Sequence, residues 1–185
     1  MSLHTQRKAF LNTLFGIILF IVVGIFADTS RKSETKGIEI SNNFEDTYVV
    51  SEIVDGDTIK VQKETEILTV RLIGINTPET KDPRKDVECF GQEASARLTS
   101  LIEGKTVRIV NDDSQEDMDR YNRLLRYVFL DDGTHINYQM IREGFAYEYT
   151  YSNPYKYQQE FIDAQSFAKN NSLGLWSPAT CNGNL

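Results

Sequence analysis

The chain has 185 residues, 40% of them hydrophobic, and a formal net charge of −7, which suits one globular domain with a short appendage. Residues 1–27 hold Arg7 and Lys8 and no acid, so the remainder carries 18 basic and 27 acidic residues. That balance excludes nucleic-acid binding through overall charge; any grip on phosphate must come from a local cluster of basic groups and a metal.

Arg7 and Lys8 precede Ala9 to Ala27, a run of 19 residues without charge. A charged start followed by such a core reads as an export signal, and the run is near the length that spans a bilayer. Cleavage after Ala27 would place the bulky Ile25 at the −3 position, which favours an uncleaved anchor, an N-terminal hydrophobic helix. Residues 28–47 are polar, without apolar period, and read as a linker.

Tyr48 to Ile53 reads as a strand. Thr58 to Gln62 alternates, with Ile59 and Val61 on one face, and Asp55-Gly56 supplies the turn between the two. Leu68, Val70 and Leu72 form the next stripe, so Arg71 falls on the opposite face. These three strands predict an antiparallel meander. Gly91 to Glu103 reads as a helix stopped by Gly104, with Ala94, Leu98, Leu101 and Ile102 on one face. Thr106 to Val110 and Leu124 to Leu130 are two more strands; the second has apolar residues on both parities. Ile136 to Glu143 predicts a short helix stopped by Gly144. Pro154 to Asn170 predicts a longer one, with Tyr157, Phe161, Ala164 and Ala168 on one face. Periodicity alone supports an α+β domain over 48–178, with a C-terminal tail over 179–185.

The chemistry concentrates in three stretches. Asp55-Gly56-Asp57-Thr58 places two carboxylates on one turn, which repel unless a cation or a basic group sits there. Arg71 to Thr80 (RLIGINTPET) sets Asn76, Thr77 and Glu79 at a strand end. Asp119-Arg120-Tyr121-Asn122-Arg123 adds a second guanidinium. Hard oxygens beside arginines are the parts that hold a divalent cation and a phosphate together. Each residue also has an ordinary reading. Asp57 suits a turn former. Thr77-Pro78-Glu79 suits a helix start with a cap, a first-turn proline and a dipole acid. Arg71 and Arg123 suit structural ion pairs, with Asp119 as one partner. Tyr121, Tyr147, Tyr149 and Tyr151 suit either base stacking or packing on a rim. His4 precedes the apolar run and His135 sits at a turn, on the surface, so histidine catalysis has little support. Cys89 and Cys181 are too far apart for a CxxC motif. They read as two free thiols or, in an exported protein, as a disulfide pinning the tail to the loop before the first long helix.

The three stretches, with Phe90-Gly91-Gln92-Glu93-Ala94-Ser95 and Gly174-Leu175-Trp176-Ser177, resemble the staphylococcal nuclease-like (thermonuclease) family from about Tyr48 to Ser177. The resemblance implies a five-stranded OB-fold barrel covered by two to three helices. It implies a calcium site at Asp57, Asn76 and the Thr77 carbonyl, a general base at Glu79, and phosphate clamps at Arg71 and Arg123. Two positions depart from the family pattern. Asn76 stands where aspartate is common, which removes one charge from the metal site. Asn122 stands where glycine is usual, and asparagine tolerates positive φ. The implied activity is calcium-dependent hydrolysis of DNA and RNA, single strands included, with little sequence preference and 3′-phosphate products. The place of action is extracytoplasmic, either secreted or held to a membrane through residues 9–27, with no obligate protein partner. The alternative is a non-catalytic module on the same fold that binds nucleic acid or protein.

Overall fold

The computed structural model describes residues 47–80 and 88–184. The expected export segment and the linker lie outside the described residues, except that Thr47 opens the first strand. Five strands close into a barrel in the order β1 (Thr47–Asp55), β2 (Thr58–Lys63), β3 (Glu66–Leu72), β6 (Leu124–Leu130), β5 (Thr106–Val110). The first three form the expected antiparallel meander, with Ile53 opposite Ile59, Ile59 opposite Val70 and Val61 opposite Leu68. Period-2 alternation then sends Val50, Ile59, Val61, Val70 and Leu72 inward, where all are buried.

Closure needs contacts that no local pattern shows. β3 and β6 pair in parallel through Val70 and Leu124, and β5 joins β6 and β1 antiparallel. The mixed parity of β6 follows from burial on both sides: Tyr127 and Val128 are adjacent in sequence and both fully buried. Helix α2 (Ile136–Arg142) covers β6, and its buried Asn137 accepts from the Val128 amide at 2.9 Å and donates to the Ile73 carbonyl at 2.9 Å. A short pair, β4 (Ile75–Asn76) with β7 (Tyr147–Glu148), was too brief to stand out in the sequence.

Helix α1 (Gly91–Ile102) buries Ala94, Leu98 and Ile102, spaced at four residues, against the barrel; each large side chain contributes about 1.5–3 kcal/mol. Helix α3 (Gln158–Asn170) starts four residues later than its pattern suggested. In the turn before it, the Lys156 amide donates to Asp112 at 2.8 Å. After α3 comes a 3-10 turn, Gly174–Trp176, and the chain then folds back. The Gly183 amide donates to the Leu175 carbonyl, and Cys181 is bonded to Cys89, 92 residues away.

His135 is not the surface residue expected. Its ring stacks on Phe129 at 4.3 Å and meets Tyr127, Tyr157 and Phe161. Burial among these rings pushes its pKa down to about 4. The turn position suggested exposure, but α3 closes over it.

Candidate active site

The site residues gather around the ends of β1, β3 and β4 and the start of β6. The bend after β1 turns on Asp55, whose Oδ1 accepts from the Gly56 amide at 2.8 Å. Asp57 is left facing a cleft. Thr77 packs tightly against Gly56: a Cβ there would lie 2.8 Å from Thr77 Oγ1, so glycine is required. The cleft, about 580 Å³, is lined by Asp55, Asp57, Thr58, Arg71, Asn76, Thr77, Glu79, Glu88, Tyr121 and Arg123. All six residues singled out from the sequence motifs therefore line one cleft.

The electrostatics are closely wired. Arg71 Nη2 lies 2.9 Å from Asp57 Oδ2 and donates to Asn76 Oδ1 at 3.2 Å, while its Nη1 donates to the Leu72 and Ile75 carbonyls. Thr58 donates its hydroxyl to Asp57 Oδ1 at 2.9 Å and accepts from Arg123 Nη1 at 3.3 Å. It thus links the acid to the second guanidinium, a role the sequence reading missed although Thr58 follows Asp57 directly. Arg123 pairs with Asp119 at 2.6 Å, the structural partner weighed above. Burial would raise the Asp119 carboxyl, but hydrogen bonds from the Arg123 side chain and from the Arg123 and Tyr121 amides outweigh it and hold its pKa below the ordinary value. Asn122 has a φ of 59°, so the turn keeps its shape without glycine.

Glu79 lies in a segment that is neither helix nor strand through Thr80, so the helix-start reading of Thr77-Pro78-Glu79 does not hold among the described residues. Its Oε1 accepts from the Thr80 amide at 2.9 Å. Its own amide donates to Glu88 Oε2 at 2.9 Å. No spacing signal in the sequence marked Glu88, which is brought in across residues 81–87.

The donor set fits a hard cation. The oxygens of Asp57 and Asn76 converge on one positive group, Arg71 Nη2, so they aim at a common point. Beside them Thr77 is buried, with an Oγ1 that has no hydrogen-bond partner among the described residues. Among the described residues no group of three or more His, Cys, Asp or Glu forms a metal cluster; the expected set holds one such side chain, Asp57, with an amide and a main-chain carbonyl.

The tyrosines divide. Tyr147 turns inward and packs edge-on against Trp176 at 5.1 Å. Tyr149 and Tyr151 are 45% and 76% exposed and line a second groove of about 510 Å³ that shares Arg71, Asn76, Tyr121 and Arg123 with the first. Tyr121 is exposed, with the guanidiniums of Arg120 and Arg123 at 4.8 and 5.2 Å from its ring.

A closed five-stranded barrel carrying acids, an amide and paired guanidiniums in one cleft defines a class, the OB-fold hydrolases of phosphodiesters. Comparison with known proteins is in accord. The profile of staphylococcal nuclease homologues matches residues 69–178. The thermonuclease of Staphylococcus hyicus is 34% identical over 88% of this chain and 96% of its own length. That of Staphylococcus intermedius is 35% identical over 71% and 76%. The SPbeta prophage-derived endonuclease YokF of Bacillus subtilis strain 168 is 38% identical over 67% of this chain and 42% of its own length. The chain belongs to the staphylococcal nuclease family.

Proposed function

We propose that the protein is a calcium-dependent nuclease that hydrolyses phosphodiester bonds of DNA and RNA with little sequence preference and leaves 3′-phosphate ends. The observation that carries this reading is the meeting of Asp57, Asn76, Thr77, Arg71, Arg123 and Glu79 in one cleft from three separate stretches. Asp57, Asn76 and the Thr77 carbonyl would hold calcium, which supplies Lewis-acid polarisation of the scissile phosphate. Arg71 and Arg123 match the planar geometry of the non-bridging oxygens and stabilise the charge that gathers there during attack. Glu79 accepts a proton from the attacking water. The water oxygen bonds to phosphorus, the bond to the 5′ oxygen breaks, and that oxygen leaves as a hydroxyl once protonated. Contacts to phosphate rather than to base edges account for weak sequence preference.

Residues 1–27 act as an export signal or membrane anchor and 28–46 as a linker, and the barrel works outside the cytoplasm. The Cys89–Cys181 bond supports this, because such bonds persist in oxidising compartments. Among the described residues no helix is long and apolar enough to cross a membrane.

The test is cleavage of single-stranded DNA and RNA with calcium or with chelator. Calcium-dependent cutting, 3′-phosphate ends and its loss in Glu79→Gln are expected. Binding without cutting in any metal would replace the enzyme by a binding module.

A further inference from the structure

We propose that Glu88 is a positioning residue for Glu79, and that the Cys89–Cys181 disulfide, by fixing Glu88, makes the C-terminal tail part of the catalytic machinery. The inference rests on the reading of Glu79 as the proton acceptor.

Glu79 has no helix or strand to hold it. Its place is set by contacts. Glu88 grips it twice: Glu88 Oε2 accepts from the Glu79 amide at 2.9 Å, and the Glu88 amide donates to the Glu79 carbonyl at 3.0 Å. On the far side the Glu88 carbonyl accepts from the Gly91 amide at 3.1 Å, joining the clamp to the first residue of α1. That start of α1 abuts the Glu79 segment so closely that a Cβ on Gly91 would lie 2.6 Å from Thr80 Cγ2 and 3.0 Å from the Pro78 carbonyl oxygen. Thr80 is tied in turn to Asp55 Oδ1 at 2.9 Å.

The residue after Glu88 is Cys89, and its bond to Cys181 anchors the clamp to the tail. The tail is itself fixed, since Cys181 is 7% exposed and the Gly183 amide donates to the Leu175 carbonyl at 2.8 Å. The negative charge of Glu88 also reaches the inward-turned Tyr147, adding to the rise that burial gives its phenol. The disulfide and Glu88 thus stand behind the acid as a supporting layer, and displacement of a reacting group by about 1 Å costs on the order of 100-fold in rate.

The experiment compares kcat and KM of E88A, E88Q, C89S/C181S and E79Q on a single-stranded DNA oligonucleotide with calcium, at a temperature where circular dichroism shows each variant folded. E88A is expected to lower kcat ~10- to 100-fold with KM within about twofold, and E88Q, which keeps an acceptor oxygen, to stay within about threefold of the parent. C89S/C181S is expected to lower kcat in the same sense. In the E79Q background neither change should slow the residual rate further, because both act through Glu79. A merely structural role would lower the melting temperature and leave kcat alone. Unchanged kcat in E88A, or equal loss in E88A and E88Q, overturns the inference while the reading of Glu79 stands. Full activity in E79Q overturns both. If C89S/C181S does not fold, kcat of the parent protein in reductant decides the disulfide's part, and an unchanged kcat with the bond reduced overturns it.

Discussion

Asn76 carries the most testable single atom of the cleft. Its Oδ1 already faces a positive group, Arg71 Nη2, and a carboxylate there would add a charge to the proposed calcium site. Asn76→Asp is expected to lower the calcium concentration for half-maximal activity by about tenfold, some 1.4 kcal/mol, read by calcium titration of cleavage and of calcium binding by calorimetry. No shift would remove Asn76 from the metal's ligands. Arg123 is held by Asp119 and reaches Thr58, so its fork is set in place before substrate arrives. Arg123→Lys keeps the charge and loses the fork; kcat should fall roughly 100-fold, with a smaller change in KM. His135 couples stability to pH. Its folded pKa is depressed to about 4 from 6.5, so the unfolded chain takes up a proton first as pH falls. Stability is full above pH 6.5 and declines between 6.5 and about 4, by at most about 3 kcal/mol. Urea midpoints at pH 7 and pH 4.5 should differ in the parent protein and differ less in His135→Phe. The motif residues were legible through the family pattern their motifs match; the burial of His135 was not, since the rings around it come from β6 and from the start of α3, apart from it in the chain.

Among the elements, one buried carboxylate joins two loops that no periodicity relates. Asp112, just after β5, accepts from the Tyr127 hydroxyl at 2.6 Å, the Lys156 amide at 2.8 Å, and the Ser114 amide and hydroxyl. Burial would raise its pKa, but these hydrogen bonds outweigh it and hold the carboxyl below its ordinary 3.8. Its contribution is therefore present above pH 3.8 and lost as pH falls through the lower folded value. That window lies below the His135 window, so the urea midpoint should fall with pH in two successive ranges. Asp112→Ala strands the Tyr127 hydroxyl and the Lys156 amide and should cost about 2–4 kcal/mol by urea denaturation. It should also loosen the segment before α3, seen as faster hydrogen exchange at Lys156. The same bond fixes the turn that precedes α3 to the end of β5.

At the level of the whole molecule, the disulfide closes a loop of 92 residues between the start of α1 and the tail. Cross-links over loops of that size limit the unfolded chain most, so C89S/C181S should lose about 2–5 kcal/mol and reductant should lower the melting temperature. An unchanged melting temperature in reductant would show that the bond does not carry stability. The acidic surface adds a second property. With a net charge of −7, association with nucleic acid rests on a few local arginines, so binding should fall only shallowly with added salt.

Local period made the strands of the meander and the faces of α1 legible, and the spaced motifs, through their resemblance to a known family, marked the family and the six residues of the cleft. Period passes directly into geometry through steric rules, whereas the cleft residues were read from motifs that match a family pattern. That β3 and β6 close the barrel in parallel, that the cysteines pair, that His135 is covered and that Glu88 reaches Glu79 emerged only in the folded chain. Those outcomes depend on which distant surfaces meet, and a side chain's partners across tens of residues leave no periodic trace in the chain.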